Sequence, residues 1–203
     1  MKNLKKLWIC FLIVSIIVGN NSVYAASNDV TNSKADSMED IIFYASTLPC
    51  INLYWGTKKL TFSKETKSIM AVMLDTYSKN RLKTTVTSVK GKMKLLFGTA
   101  SGFSIKKSQV FPFSLLEKKG DKVYIAPGEW GDSSPSHMIK KITKVGNGKY
   151  KCLVYYYVEN EEGVSYIGNF TFRLKTAKNS FGYIITGMTQ NTKCGYRKLV
   201  EKY

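Results

Sequence analysis

The chain has 203 residues, 31 Lys and Arg against 14 Asp and Glu, a formal charge of +17 and a single histidine. One His excludes His-rich metal sites, and so few acids leave little scope for the paired carboxylates of glycosidase chemistry. The size suits one domain with an ordinary core, and the charge favours anionic polymers or surfaces through an attraction that salt weakens.

Met1 to Lys6 form a basic head, Leu7 to Val18 an apolar run, and Val23-Tyr24-Ala25 a small-residue cut site. Together they read as a secretory signal over residues 1–25, too short in its apolar part to span a bilayer. No transmembrane helix is expected after cleavage, and the protein is expected to be secreted, with association to the cell envelope as a possibility. Removing Lys2, Lys5 and Lys6 with the signal leaves 178 residues and a charge of +14.

Residues 26–36 are polar and aperiodic, which predicts a flexible leader, with one α+β domain over 37–203. Met38, Ile41, Ile42, Ala45 and Leu48 recur at helical spacing behind Ser37, predicting a helix that Pro49 ends or kinks. Ser63 caps a second helix whose stripe is Ile69, Met70, Met73, Leu74 and Tyr77; its methionines are read as core packing. A third helix is predicted over 88–97, stopped by Gly98 and weakened by Gly91.

Beyond Gly98 the apolar period falls to two, predicting strands near 109–115, 121–126, 138–146, 149–159, 164–175 and 181–190. Asn147-Gly148 is the strongest hairpin signal, because the favoured tight turn needs positive φ at both central residues. In 149–159, Tyr150, Cys152, Val154, Tyr156 and Val158 share a face, which puts Tyr155 and Tyr157 on the open side. In 164–175, Val164, Tyr166, Phe170, Phe172 and Leu174 are expected inward, and Ser165, Asn169, Thr171, Arg173 and Lys175 outward.

Cys10 falls in the signal, leaving Cys50, Cys152 and Cys194. Strand register carries Cys194 far past Cys152, so the favoured bridge is Cys50 with Cys194, with free thiols as the alternative. Cys152 reads as a small buried hydrophobe.

Helices first and long strands second predict a curved antiparallel sheet wrapping the helices. The segments Lys94-Leu95-Leu96-Phe97-Gly98, Tyr150-Lys151-Cys152-Leu153-Val154-Tyr155, Thr171-Phe172-Arg173-Leu174 and Phe181-Gly182-Tyr183-Ile184-Ile185 resemble those of uncharacterised small secreted proteins of Gram-positive, clostridial-type bacteria. That resemblance, over roughly residues 60–190, implies a cystatin-like or NTF2-like α+β arrangement and no particular activity.

The residues 128–137 gather Glu129, Trp130, Asp132, Ser133, Ser134, Ser136 and His137. A hydrolase would use Ser133, Ser134 or Cys50 as nucleophile, His137 as base and Asp132 to orient it, yet no spacing matches a known nucleophile motif. A polar loop between strands is the favoured reading. Glu129 and Asp132 supply too few oxygens for calcium, so no metal is expected, and without a Walker loop or dinucleotide fingerprint no cofactor is expected. The Asn-x-Thr triplet at Asn169 reads as incidental.

The binding candidates are Tyr155, Tyr157, Arg173 and Lys175 on the outer sheet face, with Trp130 on the loop. Aromatics interleaved with cations suit sugar rings, bases or phosphodiesters, against ordinary cross-strand pairing as the competing explanation. The resulting expectation is a secreted, non-catalytic binding or envelope-associated module with weak affinity for anionic polymers of the cell envelope or exterior. The alternatives are a protein-interaction module with an unidentified protein partner, and a hydrolase built on the 128–137 loop.

Overall fold

The computed structural model describes residues 28–77, 82–105, 113–127, 134–160 and 163–196. The signal at 1–25, Trp130, Glu129, Asp132 and Ser133 lie outside these residues. The fold is α+β, with three helices and two open antiparallel sheets among the described residues.

Helix α1 (Thr31–Trp55) is longer at both ends than its periodicity predicts. At its start, Asp29 Oδ1 accepts from the Thr31 N–H (3.0 Å) and hydroxyl (2.6 Å), satisfying a donor the helix leaves open. The residues before it lie along strand β4 (Ser134–Gly146): the Val30 N–H donates to the Ile142 carbonyl (2.9 Å), and the Lys144 N–H to the Asn28 carbonyl (2.7 Å). Part of the stretch expected to be a flexible leader is therefore helical or strand-paired.

At its other end α1 runs through Pro49 to Trp55. A proline inside a helix costs about 3 kcal/mol. Here Leu48, Cys50, Ile51 and Leu53 are all buried, and each fully buried aliphatic side chain offers about 1.5–3 kcal/mol in return. The polar end is closed by Asn52, whose Nδ2 donates to Gln190 Oε1 (3.0 Å), while the same oxygen accepts from the Leu60 N–H (2.7 Å).

Helix α2 (Lys64–Tyr77) follows its prediction: the Ser63 hydroxyl accepts from the Thr66 N–H (3.1 Å), and Ile69, Met70, Met73 and Leu74 are core. Helix α3 (Val86–Phe97) starts two residues earlier than predicted, because the Thr85 hydroxyl caps it by accepting from the Ser88 N–H (3.1 Å). The short strand β1 (Lys83–Thr85) between them carries no readable period and was not expected. It is anchored by the buried Asp75, which accepts from the Thr84 and Ser88 hydroxyls and so ties α2 to β1 and α3.

The predicted single sheet is two sheets. Strands β2 (Phe113–Lys119) and β3 (Lys122–Pro127) pair with β1 in the order β1-β3-β2. Strands β4, β5 (Lys149–Asn160), β6 (Gly163–Thr176) and β7 (Tyr183–Gln190) form the second sheet in chain order. Turn signals mark where strands end but carry no information on which neighbours they choose, and β1 diverts β3 into a sheet of its own. Helix α1 packs on the larger sheet, where Met38, Ile41, Ile42 and Ala45 meet a core containing Val154, Tyr156, Phe170 and Phe172.

One irregularity decides what the outer face displays. Tyr156 pairs with Gly168 and Tyr157 with Tyr166, so Ile167 is an extra residue in β6. This β-bulge reverses the in-out alternation beyond it. Tyr166 and Val164, predicted inward with Phe170, are 43% and 66% exposed instead. Gly168 holds φ at 145°, and a Cβ there would collide with the Thr192 hydroxyl and lie 2.7 Å from Leu53 Cδ2.

Candidate functional site

The alternation in β5 fills the core with Tyr150, Cys152, Val154, Tyr156 and Val158 and turns Lys151, Leu153, Tyr155, Tyr157 and Glu159 the other way. Two rows of the outer face follow from the β5–β6 register. Lys149 stands directly opposite Lys175, and Lys151 directly opposite Arg173. Directly paired residues hold their Cβ atoms about 4.5–5.5 Å apart, and like charges so placed destabilise a sheet. All four are exposed, and among the described residues none pairs with a carboxylate.

Arg173 reaches over β7. Its Nη2 donates to Thr189 Oγ1 (3.5 Å), and its stem passes Gly187, where a Cβ would lie 3.3 Å from Arg173 Cδ. The glycine leaves the guanidinium room to extend.

The opposite end of the face is aromatic. Tyr166 packs against Tyr155 (ring centroids 5.2 Å) and Tyr157 (5.8 Å), and Lys140 Nζ lies 6.0 Å from the Tyr155 ring centre. Met138, opposite Tyr155, is 46% exposed. Between the two ends runs an uncharged strip: Asn191 Nδ2 donates to Asn169 Oδ1 (2.6 Å) and Thr171 Oγ1 (3.0 Å), and Asn169 Nδ2 donates to Tyr166 OH (2.5 Å).

Tyr155, Tyr157, Arg173 and Lys175 thus share the predicted face, but not as one cluster. Arg173 sits opposite Lys151, four residues from Tyr155, or about 13 Å at ~3.3 Å per residue. The unforeseen members are Tyr166, hidden by the bulge, and Lys149 and Lys151, which only the register reveals as partners of Lys175 and Arg173.

On the inner side, a cavity of about 150 Å³ opens between α1 and the ends of β4 and β5. Phe43, Ser46, Thr47, Cys50, Ser136, His137 and Tyr156 line it. The His137 side chain is only 13% exposed, and its Nε2 lies 2.9 Å from Glu39 Oε1. The group orienting this imidazole is therefore Glu39, contributed by a helix 98 positions away in sequence.

The nucleophile side is less favourable to catalysis. Burial pushes the Cys50 thiol up to about 12, so it stays protonated at neutral pH, where attack needs a thiolate. Burial likewise raises Tyr156 well above the usual phenol range, opposed in part by its 3.0 Å hydrogen bond with the Ser46 hydroxyl.

Cys50, Cys152 and Cys194 are free, which corrects the favoured Cys50–Cys194 bridge. Gly195 packs on the Gly56 carbonyl at the end of α1, placing Cys194 there. Cys50 lies six residues back along the helix, about 9 Å at 1.5 Å per residue, beyond the ~7 Å Cα separation that a disulfide tolerates.

Among the described residues no three His, Cys, Asp or Glu side chains are grouped to hold a metal, and no helix is long and apolar enough to cross a membrane. Compared with known proteins, the chain matches no family model, no curated protein and no solved structure.

Proposed function

We propose that the protein is a secreted, non-catalytic binding or envelope-associated module that holds anionic polymers on the outer face of the four-stranded sheet. The observation that carries this is the block formed by Lys149, Lys175, Lys151 and Arg173, two like-charge pairs in adjacent rows. Two unit charges about 6 Å apart in water repel by about 0.7 kcal/mol, so the arrangement costs folding stability. A multivalent anion laid across the block adds attractive terms that offset this repulsion. The sequence signal supports export, and the placement of α1 on the larger antiparallel sheet supports a cystatin-like or NTF2-like arrangement.

The test is retention on heparin or teichoic acid beads at low salt, where the screening length is longest. Retention above that of a neutral control protein, lost in Lys151→Glu/Arg173→Glu, is the expected result. Retention no better than the control removes the reading.

A second reading is a hydrolase or small-ligand protein, and the cavity around His137 favours it. His137→Ala would then abolish a hydrolytic activity in a folded protein. The protonated state of Cys50 weighs against it. A protein-interaction module adding a strand at β4 finds the stretch from Ile142 to Lys144 already covered by residues 28–30.

A further inference from the structure

We infer that the polymer is an acidic polysaccharide, bound along the sheet face with sugar rings at the tyrosine end and acidic substituents at the cationic end. This rests on the anionic-polymer reading above and names its substrate class.

Three features in line along the face argue for it. At one end, the exposed Tyr166 packs with the half-buried Tyr155 and Tyr157, bordered by the exposed Met138 and Val164, an apolar patch on the outer face. The patch is not an accident of alternation. It exists because the bulge at Ile167 and Gly168 turns Tyr166 outward, and bulges recur where a side chain must be re-aimed.

In the middle, Asn169, Asn191, Thr171 and the Tyr166 hydroxyl form one hydrogen-bonded network on the protein surface. Uncharged amides and hydroxyls held in fixed positions match the hydroxyls of a sugar. At the other end, the cation block matches carboxylate, sulfate or phosphate substituents by charge complementarity.

Other polyanions satisfy only part of the surface. An acidic peptide or polyphosphate meets the cations but brings neither apolar ring faces nor hydroxyls. A single-stranded nucleic acid stacks flat bases on free aromatic faces. Tyr166, the exposed ring, is inclined at 51° to Tyr155 and 63° to Tyr157, so it forms no parallel slot with either neighbour. A pyranose can instead lie its C–H-rich face against a single ring and leave its hydroxyls to the amide strip.

The experiment compares four probes of matched charge at one ionic strength by calorimetry: a heparin octasaccharide, poly-glutamate, polyphosphate and oligo-dT. The protein is the full chain and its variants Tyr157→Ala/Tyr166→Ala and Asn169→Ala, with circular dichroism checking that each is folded. The octasaccharide is expected to bind at least about tenfold tighter than poly-glutamate or polyphosphate. Both variants should erase that margin and leave poly-glutamate affinity unchanged.

Equal affinity for all four probes overturns the sugar assignment while the anionic-polymer reading stands. Preference for oligo-dT overturns it in favour of nucleic acid. Binding of none removes both.

Discussion

Tyr155 and Tyr156 are neighbours in one strand, yet they belong to two regions with opposite chemistry. Tyr156 points inward beside Ser46, Cys50 and His137, where burial holds its phenol and the Cys50 thiol in their protonated forms. Tyr155 points outward into a face with three tyrosines at one end and, at the other, four cations that pair with no carboxylate among the described residues. The inner region collects the residue types of a catalytic site and disarms them by burial. The outer region holds no reactive group, but it keeps exposed charge and aromatic area at a cost to stability. Costly features kept at a surface point to binding there more strongly than residue types collected in a core point to catalysis.

The sharpest way to break this contrast is at the bulge. Gly168→Val should destabilise the fold by about 3–5 kcal/mol in chemical denaturation, since the side chain meets Thr192 and Leu53 and the backbone sits at φ 145°. Full stability in that variant would mean that β6 can pair without the bulge, returning Tyr166 to the interior.

The inner region is tested by pH. The Cys50 thiol rises from 9.0 to about 12 on folding, so the folded chain retains a proton that the unfolded chain releases above pH 9. Its contribution to stability is fully present below pH 9 and is lost as pH rises toward 12. Denaturant unfolding of Cys50→Ala should therefore fall less steeply across that window than the native chain does. Parallel slopes would show a thiol less shielded than the cavity geometry indicates. In thiol labelling at neutral pH, the partly exposed Cys194 should react ahead of the buried Cys50 and Cys152.

A smaller effect is expected at His137. Its partner Glu39 is 52% exposed, so the ion pair itself contributes no more than about 1 kcal/mol, and His137→Ala should leave polyanion binding unchanged. Loss of binding in that variant would shift the functional site to the cavity.

Much of the framework was legible because it rests on local chemistry. The Ser63 cap, the stripe of α2, the Asn147-Gly148 turn and the alternation of β5 each follow from residues within a few positions of one another. What escaped depends on distant partners. Helix α1 continues past Pro49 because Leu53 and its neighbours are buried on the sheet and Asn52 bonds Gln190, 138 positions away. The strand β1 owes its existence to β3 and Asp75 rather than to any pattern in three residues.

The candidate site divides the same way. The outward faces of Tyr155, Tyr157, Arg173 and Lys175 were readable from period two alone. The pairing of Lys149 with Lys175 needed the register of the hairpin, and the outward turn of Tyr166 needed the bulge. Gly168 was the one available signal, since a lone glycine inside a strand marks a bulge or a close approach. Glu39 as the partner of His137 left no trace in the sequence, because an orienting carboxylate contributed by another element has no fixed spacing.

A paired measurement on Lys151→Glu/Arg173→Glu tests most directly whether the four facing cations are an anion site. The reversed row keeps a like-charge pair of its own but attracts Lys149 and Lys175 in the next row, so thermal stability should stay within about 1 kcal/mol of the native chain. The same variant should lose low-salt retention on heparin. Undiminished retention in this folded variant would contradict the assignment of the outer face.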